Sequence, residues 1–336
     1  MSPIFIFSLP RAGSTLLQRL LAAHRNVRTV SEPWILLPFL YALRDKGVYA
    51  EYEHHGAVQA IEDFYTEMPN GLADYREEIR KCTLALYEKA SRNADGMAED
   101  DQVTSLSGPV YFLDKTPRYH LIIKDIVELF PEGKFIFLWR NPLSVAASMI
   151  ETFSAGEWNL DIYKIDLFTG LRNMMEAAEC YKDRAISIQF ETLLCDPTSE
   201  CDRLFSYLNL PFDPKLLAGF KGVRLEGRKG DPTGRIQYSS IDKEPLEKWK
   251  LTLSNPVRKA WAKSYLKWIG KDQLAFMGYD LDGLLQSVND TPLKLTHTLS
   301  DLQRIIYGEF YNTLEFRLMK NKVENILDPS KNHRHT

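Results

Sequence analysis

The stretch Ser8-Leu9-Pro10-Arg11-Ala12-Gly13-Ser14-Thr15 decides the fold, because it joins a strand pattern directly to a helix pattern. The apolar run at residues 4–7 precedes it, and residues 14–24 follow with leucines at the i, i+3 and i+4 spacing of an amphipathic helix. A strand, loop and helix in this order direct unpaired backbone N–H groups and the positive end of a helix dipole at one point. The junction therefore predicts an anion-binding loop.

The side chains of this loop also suit an anion. Gly13 lets the backbone approach a ligand closely, Ser14 and Thr15 add hydroxyl donors, and the guanidinium of Arg11 matches phosphate or sulfate oxygens. A nucleoside triphosphatase loop needs a lysine after the second glycine, but here Gly13 stands directly before Ser14. A loop that merely turns a strand into a helix remains an alternative, since short glycine motifs also match by chance.

Strand and helix patterns alternate along the rest of the chain. Further apolar runs at residues 110–113, 134–139 and 185–190 are typical of strands buried on both faces. Amphipathic helical spacing occurs at residues 72–90, 119–130, 143–152, 167–184, 201–208, 256–268 and 300–326, whereas residues 214–250 are glycine-rich and loop-like. This alternation predicts an α/β fold, a P-loop-like three-layer sandwich with a central parallel sheet, flanking helices and helical insertions. We expect one main domain over residues 1–285 and a helical C-terminal extension over residues 286–336, packed on it.

Composition narrows the class of protein. The 336 residues carry a formal net charge of −3, which argues against nucleic-acid binding because that function needs a strongly basic face. The four cysteines lack CxxC spacing, which fits a reducing compartment. We find neither a signal-peptide pattern nor a run of about 20 apolar residues. These features predict a soluble cytoplasmic protein that does not bind a membrane.

No metal site is expected. His54-His55 and Asp100-Asp101 lack ligand spacing with a plausible third partner. An anionic ligand must then be neutralised by arginine and lysine side chains.

A second anion motif lies at the end of the strand predicted for residues 134–139. Arg140 follows this strand directly, and Ser144 and Ser148 lie one turn apart on the helix pattern that comes next. Arg140 and Ser148 can converge on one anion at the carboxyl edge of the sheet, where open α/β folds bind ligands. Two anion sites at one sheet edge indicate a nucleotide that carries two separate phosphate groups.

The pair of motifs resembles the two phosphate-binding signatures of the sulfotransferases that use 3′-phosphoadenosine-5′-phosphosulfate (PAPS). In that family the first loop holds the 5′-phosphosulfate, and an arginine followed eight residues later by a serine holds the 3′-phosphate. The segment from Phe190 to Pro197 also resembles a family segment, and Arg228-Lys229 resembles a basic loop that closes over the 3′-phosphate, although a solvated basic turn is an equal alternative. The resemblance implies PAPS as co-substrate, bound by Arg11, Ala12, Gly13, Ser14, Thr15, Arg140, Ser148, Arg228 and Lys229.

The resemblance also implies catalytic residues. Cytosolic members of the family use the histidine of a Lys-Thr-His stretch as base, and here Lys115-Thr116 is followed by Pro117. Glu32, 21 residues beyond Arg11, matches the glutamate of protein-tyrosine and many bacterial sulfotransferases, so this branch is the nearer one. Glu32 is then the base, and Lys115 and Arg11 stabilise charge on the transferred and leaving groups.

Each of these roles has a structural alternative. Glu32 could be the acid at the start of a helix, because Pro33 follows it. Lys115 could be a surface lysine that pairs with Asp114. His120 competes as the base, but at the start of a helix pattern it is more often a cap or a core histidine.

The sequence leaves several functions open. The first hypothesis is transfer of the sulfuryl group of PAPS to a hydroxyl of a small molecule or sugar. A variant is sulfation of tyrosine in a peptide or protein, with Arg118, Lys124 or Arg235 lining a basic cleft. Different classes are a nucleotide or nucleoside kinase and a non-catalytic anion-binding module. A homodimer remains an open alternative.

Overall fold

The computed structural model describes residues 1–48, 50, 52–94, 109–223, 225 and 246–313. Five parallel strands form one sheet in the order β2-β3-β1-β4-β5. Their bounds are Ser2–Ser8 for β1, Val27–Thr29 for β2, Tyr111–Asp114 for β3, Lys134–Trp139 for β4 and Ala185–Gln189 for β5. Because all the strands run in the same direction, the loops that follow them meet at one edge of the sheet.

Helices make up most of the other described residues. They are α1 Ser14–Ala22, α2 Leu36–Tyr41, α3 His54–Thr66, α4 Leu72–Ala94, α5 Ile123–Leu129, α6 Pro142–Ser154, α7 Leu171–Cys180, α8 Phe190–Cys195, α9 Pro197–Tyr207, α10 Leu216–Gly219, α11 Lys248–Thr252, α12 Pro256–Ile269, α13 Lys271–Phe276, α14 Leu281–Asp290 and α15 Thr298–Thr313. Single turns of 3₁₀ helix at Pro117–Leu121, Leu160–Tyr163 and Phe220–Gly222 and a π-helical turn at Ile165–Gly170 connect some of them. The predicted three-layer α/β sandwich with a central parallel sheet is confirmed.

The centre of the sheet is held by aromatic side chains on β1 and β4. Phe5 and Phe7, two residues apart on β1, both stack on Phe135 of β4, and each ring centroid lies 6.1 Å from that of Phe135. Phe137 lies 5.3 Å from Phe7 by the same measure, and all four rings are fully buried. Fully burying one such side chain contributes roughly 1.5–3 kcal/mol, so this ladder fixes β1 beside β4 and with it the loops that follow both strands.

The described chain clusters into two compact units. Unit 1 contains Met1–Asn141 and Asp166–Leu246 and includes the sheet, whereas unit 2 contains Pro142–Ile165 and Glu247–Thr336. Within unit 2 the buried carboxylate of Asp301 on α15 accepts hydrogen bonds from Arg258 Nε (2.6 Å) and Asn255 Nδ2 (2.6 Å), which ties α15 to α12. The domain boundary near residue 285 stays a prediction.

Several predicted boundaries were wrong. The short strand β2 was missed altogether, since its three residues include the charged Arg28 and show no apolar run. The single helix predicted for residues 119–130 is divided at Ile122 into a 3₁₀ turn and α5. The predicted helix 167–184 begins as a π-helical turn and ends at Cys180. No helix in the described residues is long and apolar enough to cross a membrane.

Candidate active site

The predicted anion loop lies between the carboxyl end of β1 and the first turn of α1. Arg11 (φ +69°) and Gly13 (φ +91°) both adopt the left-handed backbone conformation, and Ala12 N–H donates to the carbonyl of Leu9 (3.2 Å). A Cβ atom on Gly13 would overlap the ring of Phe190, so only glycine fits at this position. Ser14 and Thr15 are buried in the first turn of α1, where helix amides have no intrahelical partner.

Arg140 connects this loop to the second motif. It follows β4, the neighbour of β1, with Ser8 in register with Leu138. Its Nη1 donates to the carbonyl of Arg11 (2.7 Å), and its guanidinium lies 4.8 Å from the centroid of the Phe190 ring. Arg140, the first residue of the second motif, therefore contacts the first motif at this edge of the sheet.

Phe190 and Glu191, just after β5, complete this arrangement and were not predicted as site residues. Phe190 contacts both Gly13 and Arg140, and the Glu191 carboxylate accepts the backbone N–H of Asn141 (2.9 Å). Their position directly after β5, at the carboxyl edge of the parallel sheet, was the available signal, since that edge is where such folds bind ligands.

Glu32 and Lys115 form a buried ion pair. Glu32 follows β2 and Lys115 follows β3, so their strands are neighbours in the sheet. Lys115 Nζ lies 2.6 Å from Glu32 Oε1, and the two side chains are only 2% and 8% exposed. Lys115 is thus buried and is not a surface lysine, which was the structural alternative for this residue. Glu32 does not cap a helix, because α2 begins at Leu36.

A second network anchors the segments that carry this pair. Asp114 is fully buried and accepts hydrogen bonds from Tyr87 (2.6 Å), Tyr119 (2.9 Å) and Thr116 (3.0 Å). Burial raises the pKa of Asp114 from 3.8 to about 6, although these three hydrogen bonds oppose the rise. The pKa values of Tyr87 and Tyr119 are also raised by burial, which keeps both hydroxyls protonated as donors.

His120 belongs to a different cluster. It is fully buried, and its Nε2 lies 2.8 Å from Asp166 Oδ1. The same carboxylate accepts Arg118 Nε (2.8 Å) and Nη2 (2.9 Å). His120 is thus a hydrogen-bonded core histidine in this structure, which leaves Glu32 as the better-placed candidate base.

The remaining predicted residues are not part of this geometry. Ser148 lies on α6, which belongs to unit 2, so its role stays a prediction. Arg228 and Lys229 lie outside the described residues. Among the described residues, no group of three or more His, Cys, Asp or Glu side chains is arranged to hold a metal ion.

Comparison with known proteins identifies the family of this chain. The family model described as "Sulfotransferase family" matches residues 3–214, well over half of the chain. The chain belongs to the sulfotransferase family. The family predicted from the two anion motifs is thereby confirmed.

Individual relatives of this sulfotransferase are distant. It is 30% identical over 149 residues to nodulation protein NoeE of Sinorhizobium fredii, covering 44% of this chain and 31% of that protein. It is 23% identical over 257 residues to the protein-tyrosine sulfotransferase of Drosophila melanogaster, covering 73% of this chain and 46% of that protein. The chain thus spans about a third to a half of the length of these relatives.

A solved structure has the same fold. The sulfotransferase domain from the curacin biosynthetic pathway matches with a TM-score of 0.53 and 22% identity, covering 83% of this chain and 98% of that domain. At this identity the match supports the sulfotransferase fold.

Proposed function

We propose that the protein transfers the sulfuryl group of PAPS to a hydroxyl acceptor, forming a sulfate ester and adenosine 3′,5′-bisphosphate. The observation that carries this proposal is the contact of Arg140 with the Arg11 loop at the edge where Glu32 and Lys115 are paired. An arginine of the second anion motif in contact with the first motif suits a nucleotide with phosphates at two positions, and family membership supports a sulfuryl donor.

The proposed donor site uses the cations of both motifs. Arg11 and the amides of the first turn of α1 bind the 5′-phosphosulfate, and Arg140 with Ser148 binds the 3′-phosphate. Gly13 fits this role because the Phe190 ring occupies the space that a side chain would need. Arg228 and Lys229 remain proposed additional contacts with the 3′-phosphate.

The proposed reaction divides the work between Glu32 and Lys115. Glu32 takes the proton of the acceptor hydroxyl, and the acceptor oxygen attacks sulfur in line with the leaving phosphate. Lys115 and Arg11 stabilise the negative charge that develops on the bridging oxygen and the sulfuryl oxygens. We propose no metal requirement, because these cations and Arg140 can neutralise the donor.

A small molecule or a sugar is the proposed acceptor class. Sulfation of a tyrosine in an acidic peptide is the second candidate, favoured by the Drosophila relative, whose name gives that activity. One of the basic residues expected to line a peptide cleft is already paired, since Arg118 binds the buried carboxylate of Asp166, whereas Lys124 is 80% exposed. Arg235, the third, lies outside the described residues. The pairing of Arg118 supports the smaller acceptor.

The alternatives from other classes have weaker support. This sequence lacks the loop lysine that a nucleotide kinase needs. A non-catalytic anion-binding module would have no need of the buried ion pair between Glu32 and Lys115. A cytoplasmic location is proposed from the free cysteines, of which Cys82, Cys180 and Cys195 are exposed. Assembly as a homodimer stays open.

Incubation with ³⁵S-labelled PAPS tests this proposal. The acceptor panel contains 4-nitrophenol, a primary alcohol, a chitin oligosaccharide and an acidic peptide with one tyrosine. We expect labelled sulfate ester with at least one of the first three. Label only in the peptide would favour the second candidate. If no labelled sulfuryl group left PAPS, not even to water, the result would contradict the proposed enzymatic activity.

A further inference from the structure

The side chain of Trp34 holds the oxygen of Glu32 that Lys115 does not. Trp34 Nε1 donates to Glu32 Oε2 at 3.1 Å, whereas Lys115 Nζ binds Oε1 at 2.6 Å. The carboxylate is therefore held at both oxygens by donors from two different segments of the chain. Indole N–H is only a donor and does not titrate, so it holds the carboxylate without competing for a proton.

The backbone of Trp34 is fixed in an unfavourable conformation. Its φ is +59°, a left-handed geometry that costs roughly 1–2 kcal/mol for a residue with a side chain. Its N–H donates to Thr116 Oγ1 (3.2 Å), and Thr116 in turn donates to the buried Asp114 (3.0 Å). Backbone strain of this kind persists only where surrounding contacts enforce it, and it occurs preferentially at functional sites.

The proposed reaction explains why Glu32 would need a second hydrogen-bond donor beside Lys115. Lys115 binds Glu32 in the structure, yet the proposed function also requires its ammonium at the bridging oxygen of the donor. Once Lys115 turns to the donor, Oε1 is available to accept the proton of the acceptor hydroxyl. A carboxylate that lost its only anchor at that moment would be able to rotate away from the acceptor.

We propose that Trp34 is a positioning residue. It keeps the Glu32 carboxylate oriented while the ammonium of Lys115 moves from Glu32 to the bridging oxygen of the donor. The acceptor proton goes to Glu32 Oε1, and the acceptor oxygen forms a bond to sulfur. The bond between sulfur and the bridging oxygen breaks, and its electron pair stays on the phosphate beside Lys115. Trp34 itself neither gains nor loses a proton. This inference rests on the proposed function.

The variant Trp34→Phe keeps the aromatic ring and removes only the indole N–H. We expect kcat to fall about tenfold, the scale of one hydrogen bond to a charged group, while the Kd for adenosine 3′,5′-bisphosphate stays within twofold. The rate is measured with labelled PAPS and the best acceptor of the panel, or with water as acceptor. Trp158→Phe is the matched control, because Trp158 also donates from its indole to a carboxylate, that of Asp161 (2.9 Å), within unit 2.

A double-mutant cycle separates positioning from a general structural role. Because Trp34 acts through Glu32, Trp34→Phe should lower kcat in the wild-type background and have little effect in the Glu32→Gln background. Equal losses in both backgrounds, or an unchanged kcat for Trp34→Phe, would overturn the inference. If the wild-type protein turned over no PAPS at all, the proposed function itself would fail, which is a different result.

Discussion

Lys115 Nζ lies 2.6 Å from Glu32 Oε1 although the residues are 83 positions apart in the chain. The contact arises because β2 and β3 are adjacent parallel strands, so the residues that follow them meet at one edge of the sheet. Each buried charge is stabilised by the other, since burial of either charge without its partner would be strongly unfavourable.

Glu32→Gln separates the two candidate bases. We expect it to lower kcat by about 10² or more, the scale for a general base, and to leave the Kd for adenosine 3′,5′-bisphosphate nearly unchanged. His120→Gln is the comparison, because His120 is buried against Asp166 and should affect the melting temperature more than kcat. A large loss of kcat in His120→Gln with little loss in Glu32→Gln would reverse the assignment.

Arg140→Ala should weaken nucleotide binding about 10- to 100-fold, because hydrogen bonds to charged groups contribute roughly 1.5–3 kcal/mol. Isothermal titration with adenosine 3′,5′-bisphosphate measures the change. Arg184→Ala is a matched control: Arg184 also lies over a phenylalanine ring, that of Phe135 (5.5 Å), and donates to a backbone carbonyl, that of Pro131 (2.8 Å). Equal Kd values for wild type and Arg140→Ala would refute the role of Arg140.

Gly13→Ala should damage the donor loop. The added methyl group would overlap the Phe190 ring at a residue with φ of +91°, and overpacking of this kind costs about 1–3 kcal/mol. We expect a lower free energy of unfolding in urea and loss of nucleotide binding. In Gly222→Ala the added methyl group meets no atom within 4 Å, so that variant should behave like wild type. Normal nucleotide binding by Gly13→Ala would show that the loop tolerates a side chain.

The buried Asp114 predicts a pH-dependent stability. Its pKa is raised to about 6, so between about pH 4 and 6 the folded protein holds this proton more tightly than the unfolded chain does. The stabilisation is present at low pH and is lost as the pH rises through about 6. Relative to Asp114→Asn, the wild-type free energy of unfolding should fall by about 2 kcal/mol between pH 4.5 and 7, measured by urea titration. A difference that is independent of pH would show that burial does not perturb this carboxyl.

The sequence was enough to predict the fold and the strand, loop and helix around Gly13, because both depend on local patterns. The strand, loop and helix around Gly13 are contiguous, and four of the five strands show apolar runs. β2 was missed since Val27–Thr29 is short and contains a charge, and without β2 the meeting of Glu32 with Lys115 could not be derived. The contacts of Trp34 and Phe190 depend on side-chain packing between distant segments, which periodicity does not encode.

The most direct test of the central claim is isothermal titration of the wild-type protein with adenosine 3′,5′-bisphosphate and, separately, with ATP and magnesium. The Arg11 loop in contact with Arg140 predicts one bisphosphate bound per chain and much weaker binding of magnesium ATP. Tight binding of magnesium ATP with no affinity for the bisphosphate would contradict the assignment of this site to a sulfuryl donor.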